Sequence, residues 1–422
     1  MNALRVCIMA GGDGTRFAPL STPERPKQFL NFFGNGSFLQ QTRQRITSLV
    51  PYSHVYVATS QRHVSIVQEQ LPDILPQNII GEPLKKNTSP CIAYLAGLLR
   101  DDHPDTVMVV LPSDHFIRDE NGFLEVIRKA IRIAQEGNFL VTLGIRPDFP
   151  STAYGYIRSS GKPFLGIEGA CQAEAFCEKP SAEKAARYLN DGCYFWNSGI
   201  FVWRVRDIVS EISIHLPMLG KALSSFDRSE AYRQRFFEEA EAVSIDYGVM
   251  EKSQRVAVIP CDIGWSDVGS WESLHHLTQG GVSVSPETKK TLQQLFGGKR
   301  VNASELPRRV EKPWGYEEIW AHTDHYVGKI LSINAPHRLS YQYHRLKEET
   351  LRVLDGVVDL EYEEHSIRKT IRLKGGDVFH IVPCTKHRMT AVETCRILEV
   401  STPFLGDVVR LEDDYGRKEL ER

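Results

Sequence analysis

Short apolar runs separated by amphipathic stretches mark the first part of the chain. Residues 4–8 (LRVCI), 54–60 (HVYVATS), 78–81, 106–111 (TVMVVL) and 139–145 read as strands, nearly continuous in apolar residues as in a sheet buried on both faces. Between them, 64–70, 89–100 and 121–135 repeat apolar residues at helical spacing, and Ile92, Leu95 and Leu99 share one face. Strands alternating with helices predict an α/β unit with a mostly parallel sheet, and ligands at the carboxyl ends of its strands. The glycines after residue 10 and the segment Pro112-Ser113-Asp114-His115 both fall at such ends. Residues 150–278 keep mixed α/β character and are expected to complete the sheet and carry a second pocket.

The pattern then changes twice. Residues 279–306 turn polar and lose periodicity, which reads as a linker or small bridging element, with β turns packed on the first domain as the alternative. From residue 309, short strands follow at close spacing: 326–333, 351–354, 357–362, 366–373, 378–382 and 394–401. That spacing predicts a small β-sandwich or barrel. The expected domains are 1–278, a connecting element 279–308, and 309–422.

Bulk properties narrow the class. A length of 422 residues suits two or three domains. The formal net charge of −2 favours neither nucleic acid nor a membrane surface as partner. No window is long and apolar enough to cross a bilayer, and the start of the chain reads as a strand rather than a signal peptide. The 8 cysteines are scattered without a CxxC pair, as expected of reduced thiols in the cytoplasm. A homo-oligomer is compatible with all of this.

Candidate chemistry concentrates in residues 9–30, MAGGDGTRFAPLSTPERPKQFL. A strand breaking into Gly11-Gly12-Asp13-Gly14-Thr15 lets backbone N–H groups approach anionic oxygens. Arg16 adds a planar fork for phosphate and Lys27 a compact charge, with Pro23 and Pro26 stiffening the approach. This is neither the Gly-Lys-Ser/Thr phosphate loop nor the dinucleotide GxGxxG. GG-x-GTR followed ten residues later by PKQ resembles the sugar-nucleotide pyrophosphorylases, and PKQFL resembles the mannose-1-phosphate guanylyltransferases among them. The likeness covers roughly residues 4–278. Phe17-Ala18 and Ala153 depart from the residues usual in that family.

The resemblance implies a Rossmann-like nucleotidyltransferase domain using Mg²⁺. Asp114, in LPSDH at a strand end, is placed to hold a metal that bridges phosphates, and the likeness makes Asp267, in GWSDVGSW, its second protein ligand. It gives Gly11, Gly12, Gly14, Thr15, Glu82 and Asn87 to the nucleotide. Gly155, Glu178 and Asn197 would meet the sugar. Arg16 and Lys27 would stabilise the leaving pyrophosphate, and Lys179 would orient the attacking phosphate. Ser244-Ile245-Asp246-Tyr247 resembles a further family segment without an assigned role. The implied reaction takes GTP and mannose 1-phosphate to GDP-mannose. Another sugar phosphate or base, and a nucleotide-sugar-binding regulatory subunit without turnover, are the alternatives; the joint presence of Arg16, Lys27, Asp114, Lys179 and Asp267 argues against the last.

Residues 309–422 carry Gln342-Tyr343-His344, Glu349 and Gly356, then Gly376 and His387. These fit the two cupin motifs, with glutamine at the first ligand position and Pro336, Val382 and Cys384 replacing usual motif residues. Gln342, His344, Glu349 and His387 would converge on Zn²⁺ or another divalent ion. EKPWGYEEIW, LSYQYHRLKEET and DVVRLEDDYGR resemble phosphomannose isomerase modules, which implies a second activity between fructose 6-phosphate and mannose 6-phosphate. A degenerate barrel holding a dimer together is the alternative. Arg410 is a candidate for phosphate or for catalysis, or else a surface ion pair with Glu412 or Asp413.

Overall fold

A computed structural model describes residues 4–417 except 13–14, 101–104, 165–166, 297–305, 324 and 365–366. The chain forms two units, Met1–Ser285 and Pro286–Arg422.

The first unit contains β1 (Leu4–Ala10), β2 (Val55–Ser60), β3 (Ile79–Glu82), β4 (Val107–Pro112), the short β5 (Phe116–Ile117), β6 (Leu140–Ile145), β7 (Tyr156–Phe164), β8 (Ile167–Cys177), β9 (Tyr194–Arg204), β10 (Val256–Cys261) and the short β11 (Trp265–Ser266). Nine of them form one sheet in the order β3-β2-β1-β4-β9-β6-β10-β8-β7, while β5 pairs with β11. All but β8 and β9 run in the direction of β1. The sheet is therefore mostly parallel, as the alternating pattern predicts.

Side-chain alternation divides its core in two. Val6 and Ile8 pack on one face with Phe123 and Ile127, and Cys7 on the other with Tyr94, Leu95 and Trp203. Each large apolar side chain so enclosed contributes roughly 1.5–3 kcal/mol. Cys7 is fully buried and behaves as a small core residue.

Register places the site. Met9 of β1 lies opposite Pro112 of β4, so the glycine loop and Ser113-Asp114-His115 leave the sheet side by side. The Ser113 amide donates to the Met9 carbonyl (3.0 Å) and fixes that exit. Antiparallel β9 brings Asn197 opposite Gly144 of β6, towards the same end.

A helix, Pro286–Phe296, stands inside the stretch read as a linker. Its buried face is only Thr288, Thr291, Leu292 and Leu295. Two of those four are threonines, so the stripe was too polar to register as helical periodicity.

The second unit is all β. One sheet runs in the order Arg308–Lys312, Gly315–His322, Val327–Ile333, Cys395–Ser401, Glu349–Asp355, Val378–Ile381. The other runs Ile367–Lys374, Val357–Glu364, His387–Ala391, Tyr341–Tyr343, Val409–Glu412. Leu331, Ile333, Leu351, Val353, Leu360 and Ile397 form the core. Tyr341–Tyr343, His387–Ala391 and Val409–Glu412 escaped the apolar pattern because they are short and rich in polar residues.

Candidate active site

The glycine loop is held by its carbonyls. Buried Gln28 donates from Nε2 to the carbonyls of Ala10 (2.9 Å) and Gly12 (2.8 Å), and Thr59 Oγ1 donates to Ala10 (3.0 Å). Those bonds fix the strand end from which the loop leaves, where backbone donors can meet an anion. A Cβ on Gly11 would lie 3.2 Å from Glu82 Oε1, so the backbone passes close beside that carboxylate. Gly14 lies outside the described residues. Thr15 begins a single 3₁₀ turn, Thr15–Phe17, on which Arg16 is exposed.

Lys27 is buried, and its ammonium lies 5.1 Å from the Phe38 ring centroid. It donates to Asp114 Oδ2 at 3.0 Å and to the Asp267 backbone carbonyl at 2.5 Å. One cation thus links both segments that carry the expected metal ligands. Burial works against the charge on Asp114, but Lys27 and then His115 outweigh it, and the carboxyl sits below its ordinary range. Burial pushes His115 down to about 4, and its Nδ1 accepts from Trp265 Nε1 at 3.1 Å. Asp267 Oδ1 accepts from the Tyr154 hydroxyl (2.8 Å) and the Gly269 amide (3.2 Å).

Glu178 Oε1 pairs with Lys179 Nζ at 2.9 Å, while its buried Oε2 has no partner among the described residues. A Cβ on Gly155 would lie 2.3 Å from that Oε2, so only glycine lets the carboxylate stand there. Asn197 is fixed at both ends of its amide: Oδ1 accepts from Thr142 Oγ1 (3.1 Å) and Nδ2 donates to Asp246 Oδ1 (2.8 Å).

Two adjoining cavities gather these residues. One, of about 310 Å³, is lined by Gly11, Gly12, Glu82 and Asn87 among others. The second, about 200 Å³, is lined by Tyr154, Gly155, Glu178, Asn197 and Asp267. They share Pro112, Gly199 and Asp246. Burial raises Glu82 to about 7. Asp246 is raised to about 7 by desolvation first and Glu178 second. His115, Trp265 and Asp246 line the second cavity but carried no role in the sequence reading. The signal for Asp246 was the likeness of Ser244-Ile245-Asp246-Tyr247 to a family segment, which named no role.

In the second unit His344, Glu349 and His387 form, among the described residues, a cluster able to hold a metal ion. His344 Nδ1 bonds the Asp407 carbonyl, and His387 Nδ1 bonds the Thr385 carbonyl at 2.9 Å. Both Nε2 atoms are buried and, among the described residues, face only Glu349 Oε1, at 3.7 and 3.1 Å. A ring whose Nδ1–H is tied to a carbonyl presents Nε2 as a ligand. Burial pushes His344 down to about 4, so it stays neutral. The donors therefore fit a divalent ion. Gln342 lies opposite His387 in one ladder and Arg410 in the next, with its Oε1 accepting from Ser340 Oγ at 2.6 Å. Glu412 pairs with Arg368 and Arg388, and Asp413 with Arg417, so those carboxylates are engaged away from Arg410. Lys347 bridges Glu349 and Glu399 inside this unit.

A glycine loop beside a carboxylate–lysine pair, with a second pocket at the same strand ends, defines an α/β nucleotide-dependent transferase carrying an all-β module. The nucleotidyl transferase family profile matches residues 5–281. A mannose-1-phosphate guanylyltransferase from Escherichia coli K12 is 32% identical over 97% of this chain and 98% of its own length. A crystal structure of a "mannose-1-phosphate geranyltransferase" from Thermus thermophilus matches 65% of this chain and 79% of that one, at 32% identity and TM-score 0.59. A mannose-6-phosphate isomerase structure from Helicobacter pylori matches 63% of this chain and 99% of that one, at 27% identity and TM-score 0.52. A match of that extent is longer than the second unit, so it runs into the transferase fold. The chain belongs to the nucleotidyl transferase family, in its mannose-1-phosphate guanylyltransferase branch, and is an enzyme of that type.

Proposed function

We propose that the first unit transfers GMP from GTP to α-D-mannose 1-phosphate, releasing pyrophosphate and forming GDP-mannose, in the cytoplasm. The observation that carries this reading is the junction of the two cavities at Pro112, Gly199 and Asp246, beside Asp267. A nucleotide in the first and a sugar phosphate in the second would meet there. The glycine loop and Arg16 would take the polyphosphate, and Glu82 suits a base edge bearing donors, as guanine presents. Gly155, Glu178 and Asn197 would hold the sugar, with Glu178 Oε2 ready to accept from a hydroxyl.

The donor set at Asp114 and Asp267 is oxygen only, which fits Mg²⁺, and Asp114 Oδ2 already accepts from the Lys27 ammonium. Bound there, Mg²⁺ would neutralise charge on the α-phosphate. The sugar phosphate oxygen that attacks is already an anion, so the protein's task is alignment and charge stabilisation. Lys179, extending from Glu178, would orient that phosphate, and Lys27 would stabilise the departing pyrophosphate. Pyrophosphate release with GTP, UTP, dTTP and ATP against mannose 1-phosphate and glucose 1-phosphate tests the reading. Turnover confined to GTP with mannose 1-phosphate is expected; preference for another pair would overturn the substrate assignment.

For the second unit we propose a Zn²⁺-type or related divalent site serving interconversion of fructose 6-phosphate and mannose 6-phosphate. The two buried Nε2 atoms converging on Glu349 support it, as does Arg410 in register beside Gln342. Gln342, His344, Glu349 and His387 would hold the ion, which would polarise the substrate carbonyl. Metal analysis of the purified chain and of His344→Ala tests this. No divalent metal after reconstitution would remove the isomerase reading.

A further inference from the structure

The segment Ser244-Ile245-Asp246-Tyr247 and the turn that follows enter the proposed transfer only through Asp246, as a wall of the cavity junction. Residues Asp246–Met250 form a single turn of π-helix, a rare geometry that often occurs at functional sites. The turn is anchored at the wall of the first cavity, which Thr88 and Ile245 both line. The Ile245 amide donates to Thr88 Oγ1 at 2.8 Å, and the Ser89 amide donates to the Val243 carbonyl at 3.1 Å. Its base is therefore pinned to the start of the helix Thr88–Arg100, beside the first cavity.

From that anchor Asp246 lines the second cavity, and two further side chains hold the backbone of Glu178, which lines it too. Asp246 Oδ1 accepts from Asn197 Nδ2 at 2.8 Å. Glu251 Oε1 accepts from the Glu178 amide at 2.7 Å. The Tyr247 hydroxyl donates to the Glu178 carbonyl at 3.5 Å, a long contact that adds direction more than strength. The amide and the carbonyl of Glu178 are thus both held from one element. The next residue, Lys179, adopts φ +46°, a conformation a non-glycine residue keeps only when its surroundings fix it. Asn197 and Glu178 sit on different strands of the sheet or at their ends, and this turn bonds to both.

We propose that residues 244–251 are a positioning brace that sets Glu178 and Asn197 relative to each other and so determines which pattern of hexose hydroxyls the second cavity accepts. The brace rests on the sugar 1-phosphate reading of that cavity. Glu251 acts entirely through the Glu178 backbone: it is exposed and lines neither cavity. Its loss leaves the Glu178 carboxylate present but free to shift from its place beside Gly155. The brace is anchored at the nucleotide side and acts at the sugar side, so its removal affects sugar binding first.

Steady-state kinetics of the full chain separate this role from a general structural one. Glu251→Ala is expected to raise KM for mannose 1-phosphate about tenfold, as misplacement of a substrate-orienting group does. KM for GTP and the melting temperature should stay near wild type. Glu251→Gln keeps an acceptor for the Glu178 amide and is expected to restore the wild-type KM. Asp246→Asn, which keeps an oxygen for Asn197 Nδ2, should discriminate mannose from glucose 1-phosphate better than Asp246→Ala. Equal changes in both KM values for Glu251→Ala, no change in either, or no rescue by glutamine would overturn the brace. Should the wild type use another substrate pair, the substrate reading falls and the same ratios judge the brace on that pair. A wild type that binds no hexose 1-phosphate by calorimetry overturns both.

Discussion

Asp114→Asn is the sharpest perturbation of the transferase centre, because it alters one charge and almost no volume. Asp114 Oδ2 lies 3.0 Å from the Lys27 ammonium, whose side chain is 6% exposed against 36% for the aspartate. Two unit charges at that distance attract by roughly 5 kcal/mol at an effective dielectric near 20. Desolvation and the partial exposure of Asp114 cut the net stabilisation to about 1–2 kcal/mol. Lys27 also keeps the Asp267 carbonyl as a partner. The expected fall in Tm is therefore only a few degrees, on the order of 2–4 °C per kcal/mol. Activity should fall much further. If Asp114 also holds the ion at the α-phosphate, kcat drops on the order of 10²–10³-fold, the scale seen when one preorganised electrostatic group is removed. The assay is pyrophosphate release across a Mg²⁺ titration, for wild type, Asp114→Asn, Lys27→Met and the double variant. An aspartate that served only Lys27 would cost nothing more once Lys27 is methionine. A metal ligand lowers the rate again and shifts the Mg²⁺ dependence. A rate for Asp114→Asn within tenfold of wild type, with unchanged Mg²⁺ response, would refute the metal assignment.

Other residues give independent checks. Glu82 has a folded-state pKa of about 7 against an ordinary 4.5, because burial disfavours its charge. Its contribution to stability is full below 4.5 and is lost as pH rises through 7, since the folded chain binds the extra proton in that window. If the ionised form reads the base, KM for GTP should fall between pH 6 and 8, and Glu82→Gln should flatten that profile; an unchanged profile in the variant would assign the titration elsewhere, Asp246 being the neighbour in the same range. Gly155→Ala puts a Cβ 2.3 Å from Glu178 Oε2 and should weaken mannose 1-phosphate binding about tenfold with little change for GTP, measured by calorimetry; equal losses for both would dissociate Glu178 from the sugar. Lys347→Met leaves buried Glu349 and Glu399 without the cation between them, and should cost about 3–5 kcal/mol by denaturant unfolding of the full chain. A change below about 1 kcal/mol would mean that the pair of carboxylates is stabilised without Lys347.

Sequence alone determined the period of the elements and the kinds of groups available. The runs at 4–8, 54–60 and 106–111 are apolar because a strand with helices on both faces has no solvated side, so the α/β architecture was legible. The ordered motifs from Gly11 to Asp267 identified the family for a related reason: polyphosphate and sugar hydroxyls constrain residue types at strand ends. Tertiary structure decided which of those groups meet. No local pattern predicts that Lys27 reaches Asp114 and the Asp267 carbonyl, 87 and 240 residues further on, or that Gln28 turns back onto the loop, since only the folded chain brings these turns and strand ends together. The same holds for Glu251, an exposed acid whose meaning lies entirely in the Glu178 amide it accepts from. In the second unit the motif residues were visible, and so was the strand beginning at Glu349, but the strands of Gln342 and His387 were not. Tyr341–Tyr343 and Val409–Glu412 are short and carry polar residues, Gln342 in register with His387 and Arg410 with Gln342, so the apolar alternation that announces a strand is missing there.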